Sequence, residues 1–220
     1  MCPADGPTAH FVLLLDKTDP LTFTQRAALE VFVKDLIEKR VTEGSLVSVF
    51  ALGADYKESA EPVVELCNPG TEAGKSENTS NLKKLRQQYE QKFAQPLKSQ
   101  IDKLVATEPG QTSPIFEMLQ LVAINGFRKN NTTGERRLIV ISDMLHNTDE
   151  LSMFKERLDL QTFYDSPYAK RVHLDLRGVN VELHYLMNYP QLQTKRNAVF
   201  WEGYFDKAGA RVIDIRPVEG

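Results

Sequence analysis

Cysteine is scarce in this chain. The only two in 220 residues, Cys2 and Cys67, form neither a metal-binding nor a redox spacing. At most one bridge is available, and free thiols in a reducing compartment are expected. Long apolar runs are missing too: Phe11–Leu15 and Leu138–Ile141 are typical, far short of the roughly 20 residues that span a bilayer. The opening Met1–Pro7 has neither the charged start nor the apolar stretch of a signal peptide. A cytoplasmic location is therefore expected for the chain as it stands; an upstream signal or anchor would overturn it. Nor does one sign of charge dominate. Twenty-seven Lys+Arg against 30 Asp+Glu give a net charge of -3, which offers no general attraction for phosphate backbones or anionic membranes. The four histidines, His10, His146, His173 and His184, have no metal-ligand spacing, and only His146 lies near another candidate residue, Asp143; it is expected behind that residue or on the surface. With 41% hydrophobic and 26% charged residues, the composition is that of an ordinary globular chain, and 220 residues fit one domain.

What is present alternates. His10–Leu15 is a short apolar run ending at Asp16, too short for a helix and so read as a buried strand. Thr22-x-x-Gln25 has the capping-box pattern, after which Ala28, Leu29, Phe32, Val33, Leu36 and Ile37 recur at helical spacing. Leu46–Leu52 reads as a second strand and Pro62–Leu66 as a third, stopped by Asn68-Pro69-Gly70. Residues 70–81 are polar and rich in Gly, Ser and Asn, as in a mobile loop. Within them Gly70-Thr-Glu-Ala-Gly74-Lys75-Ser76 imitates a phosphate-binding loop, with three residues between its glycines where that loop needs four. Residues 82–105 are helical in pattern and highly charged, with Pro96 expected to kink or split them. Ser113-Pro114 opens another helix, with Ser113 as its cap. Leu138–Ser142 is a strand ending at Asp143, followed by a short helix near Ser152–Leu158 and an irregular stretch around Asp165-Ser166-Pro167. A strand at Val179–Met187, a helix at about Gln191–Ala208 ended by Gly209, and a strand at Arg211–Ile215 close the chain. Such alternation predicts a Rossmann-like three-layer α/β sandwich with a mostly parallel central sheet flanked by helices.

In open parallel sheets the ligand crevice lies beyond the carboxyl ends of the strands, where strand order reverses. Asp16 and Asp143 each follow an apolar strand. Two carboxylates at one sheet edge repel unless a cation lies between them, and short hydroxyl side chains add oxygen ligands without adding charge. Thr18 and Ser113 supply such hydroxyls, with Thr112 and Ser142 in reserve. Asp16, Thr18, Ser113 and Asp143 are therefore the candidate ligands of a hard divalent cation. Each also has an ordinary explanation alone, Ser113 as a helix cap and Thr18, like Asp19, as a loop residue.

In order and spacing, Phe-Val-Leu-Leu-Leu-Asp16-Lys-Thr18-Asp-Pro20, a long amphipathic helix, Ser113-Pro-Ile-Phe-Glu-Met-Leu119 and Leu-Ile-Val-Ile-Ser-Asp143 resemble the von Willebrand factor A (vWA) family. The resemblance covers roughly residues 10–215 of a single domain spanning 1–220, with 68–110 as an insertion. That family's metal-ion-dependent adhesion site uses an Asp-x-Ser-x-Ser loop, a Thr before a helix and an Asp after a later strand. The resemblance matches Asp16 to the first Asp, Thr18 to the first hydroxyl, Ser113 to the Thr and Asp143 to the last Asp. Pro20 stands where the second Ser would be, and a prolyl ring cannot ligate. What is implied is a protein-binding module, not an enzyme, with either a weakened magnesium site or a metal-free one whose loops bind the partner directly.

Two alternatives draw on other features. Asp16-Lys-Thr-Asp-Pro-Leu-Thr22 is also similar to the phosphorylation loop of the haloacid-dehalogenase superfamily, where the Asp is a nucleophile acting with magnesium. Here Asp19 and Pro20 replace a small Gly and Thr, a capped helix follows at once, and the next acidic residue after Asp143, Asp149, is six residues away, too far for that superfamily's second acidic pair. Lys83, Lys84, Arg86, Lys92, Lys98 and Lys103 could form a basic footprint for nucleic acid or an acidic partner, but Glu90 and Asp102 interrupt it, as on a solvated helix face. A protein is the expected partner; nucleic acid is not.

Overall fold

In the computed structural model, which describes residues 2–57, 59–72, 75–76, 81–106 and 110–220, the strands are β1 His10–Asp16, β2 Leu46–Leu52, β3 Val64–Cys67, β4 Arg136–Ser142, β5 Val179–Leu186 and β6 Arg211–Val218. They form one sheet in the order β3-β2-β1-β4-β5-β6. Every pairing is parallel except β2 with β3. β1 and β2 are buried along their whole length, which is why they read as continuous apolar runs rather than alternating ones.

Helices cover both faces. On one lie α1 Phe23–Asp35, α2 Leu82–Tyr89 and α3 Gln95–Val105; Leu29 and Val33 of α1, Leu97 of α3 and Phe93 between α2 and α3 pack with Phe11, Leu13, Val49 and Ile139 of the sheet. On the other lie α4 Ile115–Leu121, α5 Leu160–Asp165, α6 Pro167–Arg171 and α7 Lys195–Lys207. There Phe116, Phe163, Trp201 and Tyr204 pack with Val12, Leu14, Val140 and Leu183. This is the three-layer α/β arrangement expected from the sequence.

Several local expectations hold for stated reasons. Thr22 and Gln25 make the reciprocal capping box of α1, at 3.2 and 3.0 Å. Gly209 ends the last helix with φ 77°, a left-handed conformation open to glycine. Pro96 sits in the first turn of α3, and the chain before it, Glu90–Ala94, widens into a π-type turn. The expected split at Pro96 is not found: the helical run continues from α2 through this turn into α3, because proline in a first turn leaves no helical N–H unmade.

Others are corrected. Pro114, not Ser113, occupies the cap position of α4, and no side chain caps that helix. The expected helix near Ser152–Leu158 is a chain of turns: Ser152 Oγ donates to Asn147 Oδ1 at 2.8 Å and Met153 N–H to the His146 carbonyl at 2.9 Å, bonds that hold the segment against the loop after β4. The stretch taken as irregular contains α5 and α6, started by Asp159 and Ser166 as caps. Cys2 and Cys67 are not free thiols. They form a disulfide with a Cα–Cα distance of 5.2 Å, within the range such bonds require, because the N-terminal segment folds back along the β2–β3 edge, where the Thr8 N–H donates to the Gly44 carbonyl and the Gly44 N–H to the Asn68 carbonyl. Much of the 70–81 stretch, residues 73, 74 and 77–80, lies outside the described residues. Among the described residues no helix is long and apolar enough to cross a membrane.

Candidate functional site at the strand-order switch

The sheet order reverses between β1 and β4, since the chain runs from β1 outward to β2 and β3 and then returns to place β4 on the other side of β1. Loops leaving two such neighbours diverge to opposite faces and open a crevice. Leu15 pairs with Ile141, which sets Asp16, at the end of β1, beside Ser142, at the end of β4.

Asp16 is the hub. Its Oδ1 accepts hydrogen bonds from the Thr18 backbone N–H at 2.9 Å and the Thr18 hydroxyl at 2.6 Å. Its Oδ2 accepts from the Ser142 hydroxyl at 2.6 Å and the Ser113 hydroxyl at 3.5 Å. Asp143 follows directly, and its Oδ1 accepts from the Leu145 N–H at 2.8 Å. All four residues singled out from the sequence are thus at one place, and all are buried, with exposures of 4–6%. Ser113 reaches Asp16 because its segment is pinned to the loop after β4: the Ser113 N–H donates to the Asn147 carbonyl at 2.7 Å, and the Asn147 N–H returns to the Ser113 carbonyl at 2.9 Å.

The carboxylates are held in surroundings that disfavour charge. Burial pushes the Asp16 carboxyl above its ordinary range, against the lowering effect of the bonds from Ser142 and Thr18, and nearby Asp19 adds to the rise. Burial and then the adjacent Asp16 push Asp143 well above the usual carboxylate range. Among the described residues no Lys or Arg lines the crevice, a cavity of about 200 Å³ whose walls include Thr18, Asp19, Ser113, Asp143, Asn147 and Tyr189. Among the described residues no three His, Cys, Asp or Glu side chains are grouped so as to hold an ion. A cation here would depend on hydroxyl oxygens, and the donor set fits one: two carboxylates with the hydroxyls of Thr18, Ser113 and Ser142 around them form a cluster of hard oxygens.

Sequence reasoning left two contributors in the background. Ser142 makes one of the two shortest side-chain bonds to Asp16; its place at the end of an apolar strand beside Asp143 was the available signal. Asp19 lines the crevice and is held by Asn188 Nδ2 and Tyr189 Oη, each at 3.4 Å, and nothing local in the sequence points to those long-range partners. Thr112 does not join in, its hydroxyl donating to the Ala54 carbonyl at 3.1 Å. His146 is fully buried rather than on the surface. Its Nε2 lies 3.0 Å from Tyr168 Oη, its ring lies against Phe116, and burial lowers its pKa to about 3.

The protein is thus an open, doubly wound α/β chain with an acidic, hydroxyl-lined crevice at its switch point. In fold it is similar to the VWA domain of SpRpn10, at 8% identity over 96% of this chain and 88% of that one, with a TM-score of 0.47. It is likewise similar to an aerotolerance-related membrane protein from Bacteroides fragilis NCTC 9343 carrying multiple mutations to serines, at 10% identity over 94% and 90%, with a TM-score of 0.43. No family model matches the sequence, and no curated protein matches it either.

Proposed function

We propose that this chain is a vWA-like protein-interaction module, not an enzyme, that docks its partner at the crevice beyond β1 and β4. The observation that carries the reading is the convergence of Asp16, Thr18, Ser113 and Asp143, with Ser142, on one buried point. These residues would hold a magnesium or manganese ion, whose positive charge would offset the carboxylate repulsion and offer an open coordination position to an oxygen of the partner. Pro20 supplies no side-chain oxygen, so the ion is held weakly. The haloacid-dehalogenase alternative needs Asp16 as a free nucleophile. That carboxylate instead accepts four hydrogen bonds, shared by both oxygens, an arrangement suited to a fixed ligand.

The test is thermal unfolding against added ion. Stabilisation grows as RT ln(1 + [L]/Kd), so a Kd near 1 mM gives about 1.4 kcal/mol at roughly 10 mM ion, or about 3–6 °C for a chain of this size. Asp143→Ala should abolish the response. Magnesium-dependent hydrolysis of a generic phosphate ester that vanishes in Asp16→Asn would overturn the reading in favour of an aspartyl phosphotransferase. No response in either assay removes the metal and leaves the loops to bind a partner directly.

A further inference from the structure

A larger and more apolar cleft lies away from the switch point, between α1 and the α2–α3 segment. Its volume is about 430 Å³, and its floor includes Leu29, Val33, Ile37, Tyr89, Ile101 and Val105. Its two sides are joined where Tyr89 Oη donates to the Ile37 carbonyl at 3.0 Å. Both long walls are charged. Along α1 and the turn after it run Arg26, Glu30, Lys34 and Glu38, each four residues from the next and so on one helical stripe with signs alternating. Facing them are Glu90, Lys98 and Asp102. All seven side chains are exposed, and none is in an ion pair among the described residues.

Small-molecule pockets set a few polar groups converging on the ligand within apolar walls. Here the polar groups form two lines along the rims instead, about 18 Å long at ~1.5 Å per helical residue. The complement of that pattern is linear: an apolar stripe flanked by charges repeating at helical spacing. We propose that the cleft is a second docking surface, independent of the switch-point crevice, that takes an amphipathic helix of a partner protein. The helix would present its apolar face to Leu29, Val33 and Ile101. Flanking acidic residues would lie against Arg26, Lys34 and Lys98, and basic ones against Glu30, Glu38 and Asp102.

The probes are two synthetic helical peptides with the same leucine face, one with Glu and Lys alternating every four residues along both flanks and one with Lys throughout. Binding is followed by the amide NMR shifts of the full chain. The alternating peptide is expected to bind and to shift residues around Leu29 and Ile101, leaving those around Asp143 in place. Changing both exposed lysines, Lys34→Glu with Lys98→Glu, should weaken the alternating peptide by about tenfold and strengthen the all-Lys peptide, each reversed surface pair counting by a few-fold. An unchanged melting temperature in that variant separates lost recognition from lost fold. Equal affinity of the two peptides for both proteins, shifts confined to the crevice, no binding at all, or occupation of the cleft by a second copy of the chain in sedimentation would each overturn the proposal.

Discussion

Glu182 offers a quantitative test of how the sheet is held together. It lies in the middle of β5, 2% exposed, paired with Ile139 of β4 and Asp214 of β6. Arg137 Nη1 donates to its Oε1 at 2.6 Å and Arg40 Nη1 to its Oε2 at 3.1 Å, with Arg40 Nη2 also bound to Oε1. Burial alone would raise its pKa. The nearby His184 ring, the bonds from Arg40 and the charges of Arg40 and Arg137 outweigh burial and bring it from an ordinary 4.5 down to about 2. A folded-state value below the unfolded one means that the group stabilises the fold above pH 4.5, and that this contribution is lost as pH falls toward 2. A gap of that size corresponds to roughly 3 kcal/mol at neutral pH, of which about 2 kcal/mol is gone by pH 3. Glu182→Gln should therefore cost roughly 3 kcal/mol at pH 7, near the lower end for breaking a buried pair, since both arginines retain access to water. Urea unfolding of the two proteins at pH 7 and pH 3 gives the comparison directly, with the difference between them shrinking by about 2 kcal/mol at the lower pH. A variant within about 1 kcal/mol of the parent at both pH values would refute the reasoning, because an error of that size equals the whole value of a surface pair.

Reducing the Cys2–Cys67 bridge, which joins residues 65 apart, should cost about 4 kcal/mol by the chain-entropy relation; denaturant unfolding with and without dithiothreitol measures it, and two titratable thiols in the native protein would refute the bridge. Met144 adopts φ 57° yet is fully buried. Met144→Gly would relieve roughly 1–2 kcal/mol of left-handed strain but remove a core side chain worth about 2–5 kcal/mol, so a lower melting temperature is expected and a higher one would show that strain dominates.

What could be read from the sequence depended on how local the cause was. β1 and β4 were legible because strands buried on both faces must be continuously apolar, and the capping box of α1 because its two bonds join residues three apart. The convergence of the four candidate residues was legible from their places at strand ends and before a helix, which the topology brings together. The bond of Ser113 to Asp16 spans 97 positions and that of Ser142 spans 126, so their choice of partner over a local cap was not. The antiparallel turn of β3 and the Cys2–Cys67 bridge escaped for the same reason. Both are set by how the N-terminal segment and the β2–β3 edge lie side by side, and neither leaves a spacing in the chain. Residues 152–158 show the opposite failure: a helical pattern overridden by the bonds of Ser152 and Met153 to the loop after β4.

That loop also bears on how the crevice would work. Met144 turns the chain immediately after Asp143, in a conformation that non-glycine residues rarely adopt. Its carbonyl accepts from Trp201 Nε1 at 2.8 Å, and its N–H donates to Ser142 Oγ at 2.9 Å. The Asp143 carbonyl accepts from Gln193 Nε2 at 2.9 Å, and the same amide donates to the Leu186 carbonyl at 2.7 Å. Trp201 lies fully buried in the aromatic cluster with Phe116, Phe200 and Tyr204. The backbone that aims Asp143 is therefore fastened to Gln193 and to Trp201 of α7, and the strain at Met144 is held by contacts on both sides of it. A site fixed in this way does not have to order its own loops when a partner arrives, which preserves affinity. On the proposed reading, the strength of binding at the crevice should respond to changes at Gln193 and Trp201, which hold the backbone of Asp143 and Met144, as well as to changes at Asp16, Thr18, Ser113 and Asp143.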